Sequence, residues 1–243
     1  MKDENGNDIR FPYLTTLGNV SSTWGTGLAE NRTGSMNLKW EVSTKTNFGI
    51  DARFFDDKVD MTVDFFHTKT TDIFQRRANI PDEGGLSNVL PYANIGSMKS
   101  WGMDGTLAYT HTFNKDMALT VRGNFTHAEN EVIYWEQSGV NYPYQSNSGV
   151  PYKVQRGLIA LGLFKDEDDI KSSPKQTFMD NYRPGDIKYK DVNGDGKIDK
   201  DDVVPLNYSA VPFIQYGFAL DWNYKAFRVS ILFEGVSKVQ YFQ

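Results

Sequence analysis

Asn47-Phe48-Gly49-Ile50-Asp51-Ala52-Arg53-Phe54, a turn through Asp56-Asp57-Lys58, then Val59-Asp60-Met61-Thr62-Val63-Asp64-Phe65 is the stretch that decides how this chain folds. Phe48, Ile50, Ala52 and Phe54 alternate with Asn47, Gly49, Asp51 and Arg53, and Val59, Met61, Val63 and Phe65 alternate with Asp60, Thr62 and Asp64. A period of two sends successive side chains to opposite faces of a strand, and so short a connection makes the pair an antiparallel hairpin. The scheme recurs twice. Met103, Leu107, Tyr109 and Phe113 lead through Asn114-Lys115-Asp116 into Met117, Leu119, Val121 and Phe125. Ile214, Tyr216, Phe218, Leu220, Trp222 and Tyr224 lead through Lys225-Ala226 into Phe227, Val229, Ile231 and Phe233. One face of every hairpin is apolar.

Between the hairpins run polar, Gly-rich stretches, roughly 75–97, 134–152 and 165–210, too long for tight turns. Short connections on one side and long ones on the other predict an all-β fold, an antiparallel transmembrane β-barrel segment with brief periplasmic turns and long extracellular loops. The competitor is a soluble β-sandwich, which also alternates. Strands of ten or more residues are long for a globular sheet, and Asp51, Arg53, Asp60, Asp64 and Arg122 stand mid-strand on the polar face, as a wet lumen permits. His67, His111 and His127 continue the apolar parity near strand ends, where a ring with a polar tip suits the lipid headgroup level.

Composition narrows the function classes. The 243 residues carry 26 Lys plus Arg against 31 Asp plus Glu, a net charge of −5, which argues against a nucleic-acid partner. There is no Cys, so disulfides, thiolate catalysis and Cys-ligated zinc are excluded. No apolar run approaches the ~18 residues of a spanning helix. Met1–Asp8 has no apolar leader segment, so the chain is expected to be either cytosolic or a piece of something longer.

One motif is chemically specific. Asp191-Val192-Asn193-Gly194-Asp195-Gly196-Lys197-Ile198-Asp199-Lys200-Asp201-Asp202 has the spacing of an EF-hand-type calcium loop. Asp191, Asn193 and Asp195 would supply side-chain oxygens, Gly196 the sharp reversal and Lys197 its carbonyl, with Asp199 acting through water and Asp202 closing the shell. Asp in the last position is shorter than the usual Glu, and Tyr182-Arg183-Pro184-Gly185-Asp186 breaks any entering helix, so the expected role is a stapled loop rather than a switch. The alternative is an Asp- and Gly-rich solvated turn without metal. Tyr134, Trp135, Tyr142, Tyr144 and Tyr152 in the long loops are candidates for stacking on substrate rings or for packing the loops together. The acidic run Lys165-Asp166-Glu167-Asp168-Asp169 reads as a solvated loop or short helix start.

Asn37-Leu38-Lys39-Trp40-Glu41 before Thr46-Asn47-Phe48-Gly49-Ile50-Asp51, then Gly157-Leu158-Ile159-Ala160, then Pro184-Gly185-Asp186-Ile187-Lys188-Tyr189 running into the Asp-rich loop, and lastly Tyr216-Gly217-Phe218 with Phe233-Glu234-Gly235, resemble the C-terminal barrel portion of SusC/RagA-type TonB-linked outer-membrane transporters. The resemblance runs from about residue 11 to 236. It implies a barrel of about 22 strands, filled by an N-terminal plug with a TonB box. It implies import of oligosaccharides or peptides, a SusD-like surface lipoprotein as partner, energy from TonB, contact with membrane lipid, and location in the Gram-negative outer membrane. Neither plug nor closing strands are found in the sequence, so residues 1–243 are expected to be a fragment of the barrel domain. About eight strands are expected here, roughly a third of such a wall. Residues 165–210 would be a long extracellular loop carrying the calcium-type motif. Asn47, Asp51, Arg53, Asp60, Asp64, Arg122 and Asn124 would line the lumen behind the plug. No enzymatic activity is expected. The rival readings are a soluble calcium-dependent carbohydrate-binding β-sandwich module and, behind it, a glycosidase, for which no carboxylate pair can be placed at the required separation.

Overall fold

In a computed structural model, residues 8–23, 25–80 and 89–240 are described. Met1–Asn7 of the leader reading and the middle of the 75–97 connection lie outside the described residues. The strands are β1 (Thr16–Ser22), β2 (Gly25–Arg32), β3 (Val42–Phe54), β4 (Val59–Arg76), β5 (Tyr92–Asn114), β6 (Met117–Tyr134), β7 (Val154–Gly157), β8 (Ala160–Leu163), β9 (Lys175–Gln176), β10 (Ile187–Tyr189), β11 (Lys197–Ile198), β12 (Val204–Ser209), β13 (Ile214–Tyr224) and β14 (Phe227–Ser237), with one short helix, α1 (Glu167–Ser172).

Six strands form one antiparallel sheet in the order β14-β13-β6-β5-β4-β3, each beside its sequence neighbour in the meander. The three hairpins expected from alternation are its three pairs. β1 and β2 pair only with each other, outside this sheet. The tight turns fall at 55–58, 115–116 and 225–226, all at one end of the sheet, and the β4–β5 and β6–β13 connections leave from the other. At the first turn Phe55, Asp56 and Asp57 all have positive φ (57°, 55° and 60°), a conformation Asp tolerates better than most residues.

Register carries the alternation across the whole sheet. Ile50 faces Val63, Val63 faces Gly105, Gly105 faces Phe125, Phe125 faces Tyr216 and Tyr216 faces Gly235, so apolar parity on one strand meets apolar parity on the next. This face is uncovered: Phe48 is 63% exposed and Phe218 46%, with Leu107, Val229, Ile231 and Phe233 exposed beside them. Among the described residues no second sheet packs over it, which overturns the sandwich alternative. Aromatic rings bracket the band. His111 sits edge-on to Phe113 at 4.4 Å, and Trp222 stacks on Tyr224 at 5.9 Å near the tight turns. Trp101 faces His67 toward the other end. Two residues beyond, the same parity becomes charged: Lys99 bridges Glu131 at 3.0 Å, and Glu129 takes His127 at 2.9 Å and Lys238 at 3.2 Å. His67 and His127 thus stand beside the charged row but in the middle of β4 and β6 rather than near strand ends, because these strands run on beyond the band, whereas His111 lies at the tight-turn end between Tyr109 and Phe113.

The opposite face is mainly polar, with Phe66, Leu232 and Val236 as apolar exceptions. Arg53 bridges Asp60 at 2.9 Å, Arg122 bridges Asp221 at 2.6 Å, and Thr62 donates to Asp51 at 2.8 Å. Gly49 faces Asp64 and Gly217 faces Asn124. In each case a Cβ would collide with the partner's side chain, so glycine lets the polar group fold down onto the wall.

The strands outrun their expected ends. β4 and β6 have 18 residues and β5 has 23, against about 10 needed to cross a bilayer. Beyond the charged row both faces are wet, so pairing continues after the alternation has faded. The 75–97 connection therefore shortens to 77–91. The stretches expected as separate loops, 134–152 and 165–210, belong to a single excursion over 135–213, because the intervening residues form β7 and β8 rather than a wall hairpin.

Candidate functional site

The excursion is held by three small ladders: β7 with β12, β8 with β10, and β9 with β11. Its core is made of Phe164, Ile198, Val204 and Phe213, all buried. Two sites of interest lie within it.

The first is the Asp-rich loop. Asp191 Oδ1 accepts from Gly194 N–H at 2.6 Å and Oδ2 from Gly196 N–H at 2.8 Å; Asn193 Oδ1 accepts from Asp195 N–H at 3.0 Å, and Asp195 Oδ1 from Lys197 N–H at 2.9 Å. Gly194 and Gly196 take φ of 77° and 84°, the left-handed region that glycine enters freely. Asp199 Oδ1 accepts from Asp201 N–H at 2.8 Å. The carbonyls of Gly196 and Ile198 point to β9, accepting from Lys175 and Thr177, so strand alternation turns the Lys197 carbonyl the other way. Asp202 is fully buried; Oδ1 accepts from Val192 and Asn193 and Oδ2 from Asp199, and no cationic side chain pairs with it among the described residues. Among the described residues no three His, Cys, Asp or Glu side chains gather into a metal-holding group, and the loop is closed by its own N–H bonds. The side-chain oxygens of Asp191, Asn193, Asp195 and Asp202 are oxygen donors of the type a hard cation prefers, and each accepts from the loop's own N–H groups.

The second is aromatic. Tyr142 and Tyr144 stack at 5.3 Å with planes 7° apart, and both are tied to the Asp-rich loop. Tyr144 Oη donates to the Asp201 carbonyl at 2.6 Å, Asn193 Nδ2 donates to Tyr142 Oη at 3.3 Å, and Gln145 Nε2 donates to Asp201 Oδ1 at 3.3 Å. Desolvation, then Tyr142 and the carboxylates of Asp202, Asp201 and Asp191, push the Tyr144 phenol above its usual range. Trp135 joins Tyr152 instead, at 6.2 Å, and Tyr134, exposed at the end of β6, makes no ring contact with the others. The four sequence candidates are therefore not one platform.

Sequence reasoning missed Arg156. It donates to the carbonyls of Tyr144 at 3.2 Å and Ser146 at 2.6 Å and to Asn147 Oδ1 at 3.2 Å, clamping this segment. Arg156 lies within the four-residue β7, too short a strand for its alternation to be read in the sequence. Sequence reasoning also missed Glu136, buried at the root of the excursion, which takes Arg77 Nε at 2.7 Å and the Asn79 N–H at 2.8 Å.

A sheet with one continuous lipid-type face, bracketed by rings, and one ion-paired polar face defines a wall section of a transmembrane β-barrel. The chain belongs to the TonB-dependent receptor-like β-barrel family, whose pattern matches residues 6–241. It is 28% identical over 96% of its length to TonB-dependent receptor P26 of Formosa agariphila, 30% identical over 85% to TonB-dependent receptor P39 of the same organism, and 26% identical over 68% to TonB-dependent receptor SusC of Bacteroides thetaiotaomicron. It spans 24%, 23% and 16% of those proteins. Its fold is similar to a chain of the RagAB peptide importer in the open-open state, with TM-score 0.69 at 22% identity over 94% of this chain and 24% of that one. Receptors of this family are outer-membrane β-barrel proteins rather than enzymes, in agreement with the location and the non-enzymatic character expected from the sequence.

Proposed function

We propose that the chain is a wall section and external cap of an importer that carries oligosaccharides or peptides across the outer membrane. TonB supplies the energy through parts of the receptor outside this chain, and a SusD-like lipoprotein covers the external side. The observation that carries this reading is the uncovered apolar band, continuous over six strands and backed by ion pairs on the other face. In lipid the free edges of β3 and β14 would each leave a row of unpaired backbone groups, so both edges require neighbouring strands. The long connections face outward, and the polar face, with Asn47, Asp51, Arg53, Asp60, Asp64, Arg122 and Asn124, faces plug and substrate. SusC and the RagAB peptide importer support an import role of this kind.

Calcium belongs to this reading as a staple. Asp191, Asn193, Asp195, Asp202 and the Lys197 carbonyl would hold it, with Asp199 through water, and the bound ion would supply charge compensation for Asp202. Because Tyr142, Tyr144 and Gln145 lean on the same loop, a rigid loop fixes the aromatic pair before substrate or partner docks.

Deleting the full-length receptor should abolish growth on its oligosaccharide or peptide nutrient, and the lipoprotein should co-purify with it; wild-type uptake in the deletion strain would refute the import role. Calorimetry of the full-length receptor should show calcium uptake that the Asp191→Ala, Asp195→Ala double variant loses. Retention of that uptake would refute the staple.

A further inference from the structure

Where β6 ends, the chain turns back over 147–156 and lines a half-open cavity of about 270 Å³. Val132, on the β6 face that carries Arg122, Asn124 and Thr126, lines it, so the cavity belongs to the polar side of the wall. Trp135 and Tyr152 supply two ring faces, tilted 49° to each other, and Arg156, Lys153 and Asn147 supply polar groups. Among the described residues no acidic side chain lines it.

Charge is the unexplained feature. All three acceptors of the Arg156 guanidinium are neutral, and it has no carboxylate partner among the described residues. Its Nε–H and second Nη1–H are left without an acceptor there. Lys153 lies 5.5 Å from the Tyr152 ring centroid and has no carboxylate partner among the described residues. Burial holds the Arg156 pKa below its usual value, the mark of a cation that nothing nearby compensates. In a chain of net charge −5, two uncompensated cations beside two ring faces form a local reversal of sign.

We propose that this cavity is a subsite for one anionic pyranose unit of an imported oligosaccharide, a uronate or a sulfated sugar. The proposal rests on the import reading and names its substrate class. Ring faces stack against the C–H surface of a pyranose, and a guanidinium with free N–H groups recognises carboxylate or sulfate directionally. At 270 Å³ the cavity falls just under the roughly 300–1,000 Å³ of whole-ligand pockets, which suits one ring and not an oligomer. A peptide fits less well. Extended peptides are gripped by free backbone edges, and here Val132 N–H donates to the Val150 carbonyl, Val154 N–H to the Pro151 carbonyl, and β7 is paired with β12.

The test is calorimetry on the full-length receptor in detergent with three tetrasaccharides: a uronic-acid tetramer, a sulfated neutral tetramer and the same neutral tetramer unsulfated. At least one acidic probe should bind about tenfold more tightly than the neutral one at low salt, with the gap closing near 0.5 M NaCl; the two acidic arms tell carboxylate from sulfate. Arg156→Gln should remove most of the preference. Because Arg156 also clamps the 144–147 segment, Lys153→Asn is the second variant. It keeps a residue that tolerates the positive φ of 54° and should lower the acid-to-neutral ratio about threefold. Trp135→Leu should weaken all sugars about tenfold. Equal affinity for acidic and neutral probes, a preference that survives both charge variants, or competition by an acidic peptide but by no sugar would overturn the proposal while leaving import intact. Loss of nutrient uptake in no receptor-deletion strain would instead remove the import reading beneath it.

Discussion

The wall and the excursion bury their hydrophobic residues in opposite senses. Across β3–β6, β13 and β14 most of the large apolar side chains are on the outside, and the polar pairs Arg53–Asp60 and Arg122–Asp221 occupy the inner face. The buried apolar residues of the described structure, Phe74, Val132, Phe164, Ile198, Val204 and Phe213, all lie at the rim or in the excursion. One polypeptide thus follows two solvents. The wall is stabilised by a lipid phase it does not contain, whereas the excursion builds a small core of its own against water.

The division predicts that one substitution breaks each half without the other. Ile198 has no exposed surface and anchors the Asp-rich loop, so Ile198→Ala should cost about 2–5 kcal/mol. The expected result is rapid proteolysis within 191–202 while the barrel keeps its gel-shifted, heat-modifiable form. Val121→Arg does the reverse. On a central strand, facing Tyr109 and Leu220, it should cost about 2–4 kcal/mol in lipid vesicles and abolish the heat-modifiable form. Thr62→Arg, on the polar face beside Asp51, should cost less than about 1 kcal/mol. Similar losses for Val121→Arg and Thr62→Arg would mean the two faces do not differ in solvent. Glu136→Gln probes the joint between the regions. It leaves Arg77 without its carboxylate, and a loss of about 1–3 kcal/mol should appear as faster hydrogen exchange at Asn79.

The same division explains what was readable in advance. Wall strands announce themselves because each residue faces one of two bulk phases, and Phe48 through Phe65 is enough to set the register. The family-specific segments around Asn37–Asp51 and Pro184–Tyr189 were readable for a different reason, as sequence likeness. Ladders in the excursion are two to six residues long and join partners distant in sequence, such as Lys175–Gln176 with Lys197–Ile198, so no local period encodes them. The turns inside the Asp-rich loop were legible because the bonds from Asp191, Asn193, Asp195 and Asp202 to backbone N–H groups run within the same twelve residues. The Tyr144–Asp201 and Arg156–Ser146 bonds were not, since nothing in either segment specifies the other.

The smallest expected effect tests whether the excursion is held together by water-exposed electrostatics as well as by its core. α1 has six residues, too few to persist alone. Asp169 fixes it by accepting Lys188 Nζ from β10 at 2.8 Å and the Lys165 N–H at 3.2 Å. The hydrogen bond from Lys188, then that from Lys165, hold the Asp169 carboxyl below its usual range. A carboxylate with a depressed folded-state pKa contributes in full above its unfolded value, about 3.9, and loses that contribution as pH falls through the lower folded value. A nitroxide attached at Lys171→Cys should therefore report an ordered α1 at pH 5 and increasing motion below about pH 4. With Asp169→Asn the motion should be present at every pH. Asp168, which meets Lys171 only at the surface, offers the control: Asp168→Asn should leave the profile of a label placed at Ser172→Cys unchanged, because an exposed pair three residues apart contributes little. A profile that is flat with pH in the parent protein would assign the docking of α1 to the core around Phe164 alone, and would make the excursion a purely hydrophobic counterpart of the wall.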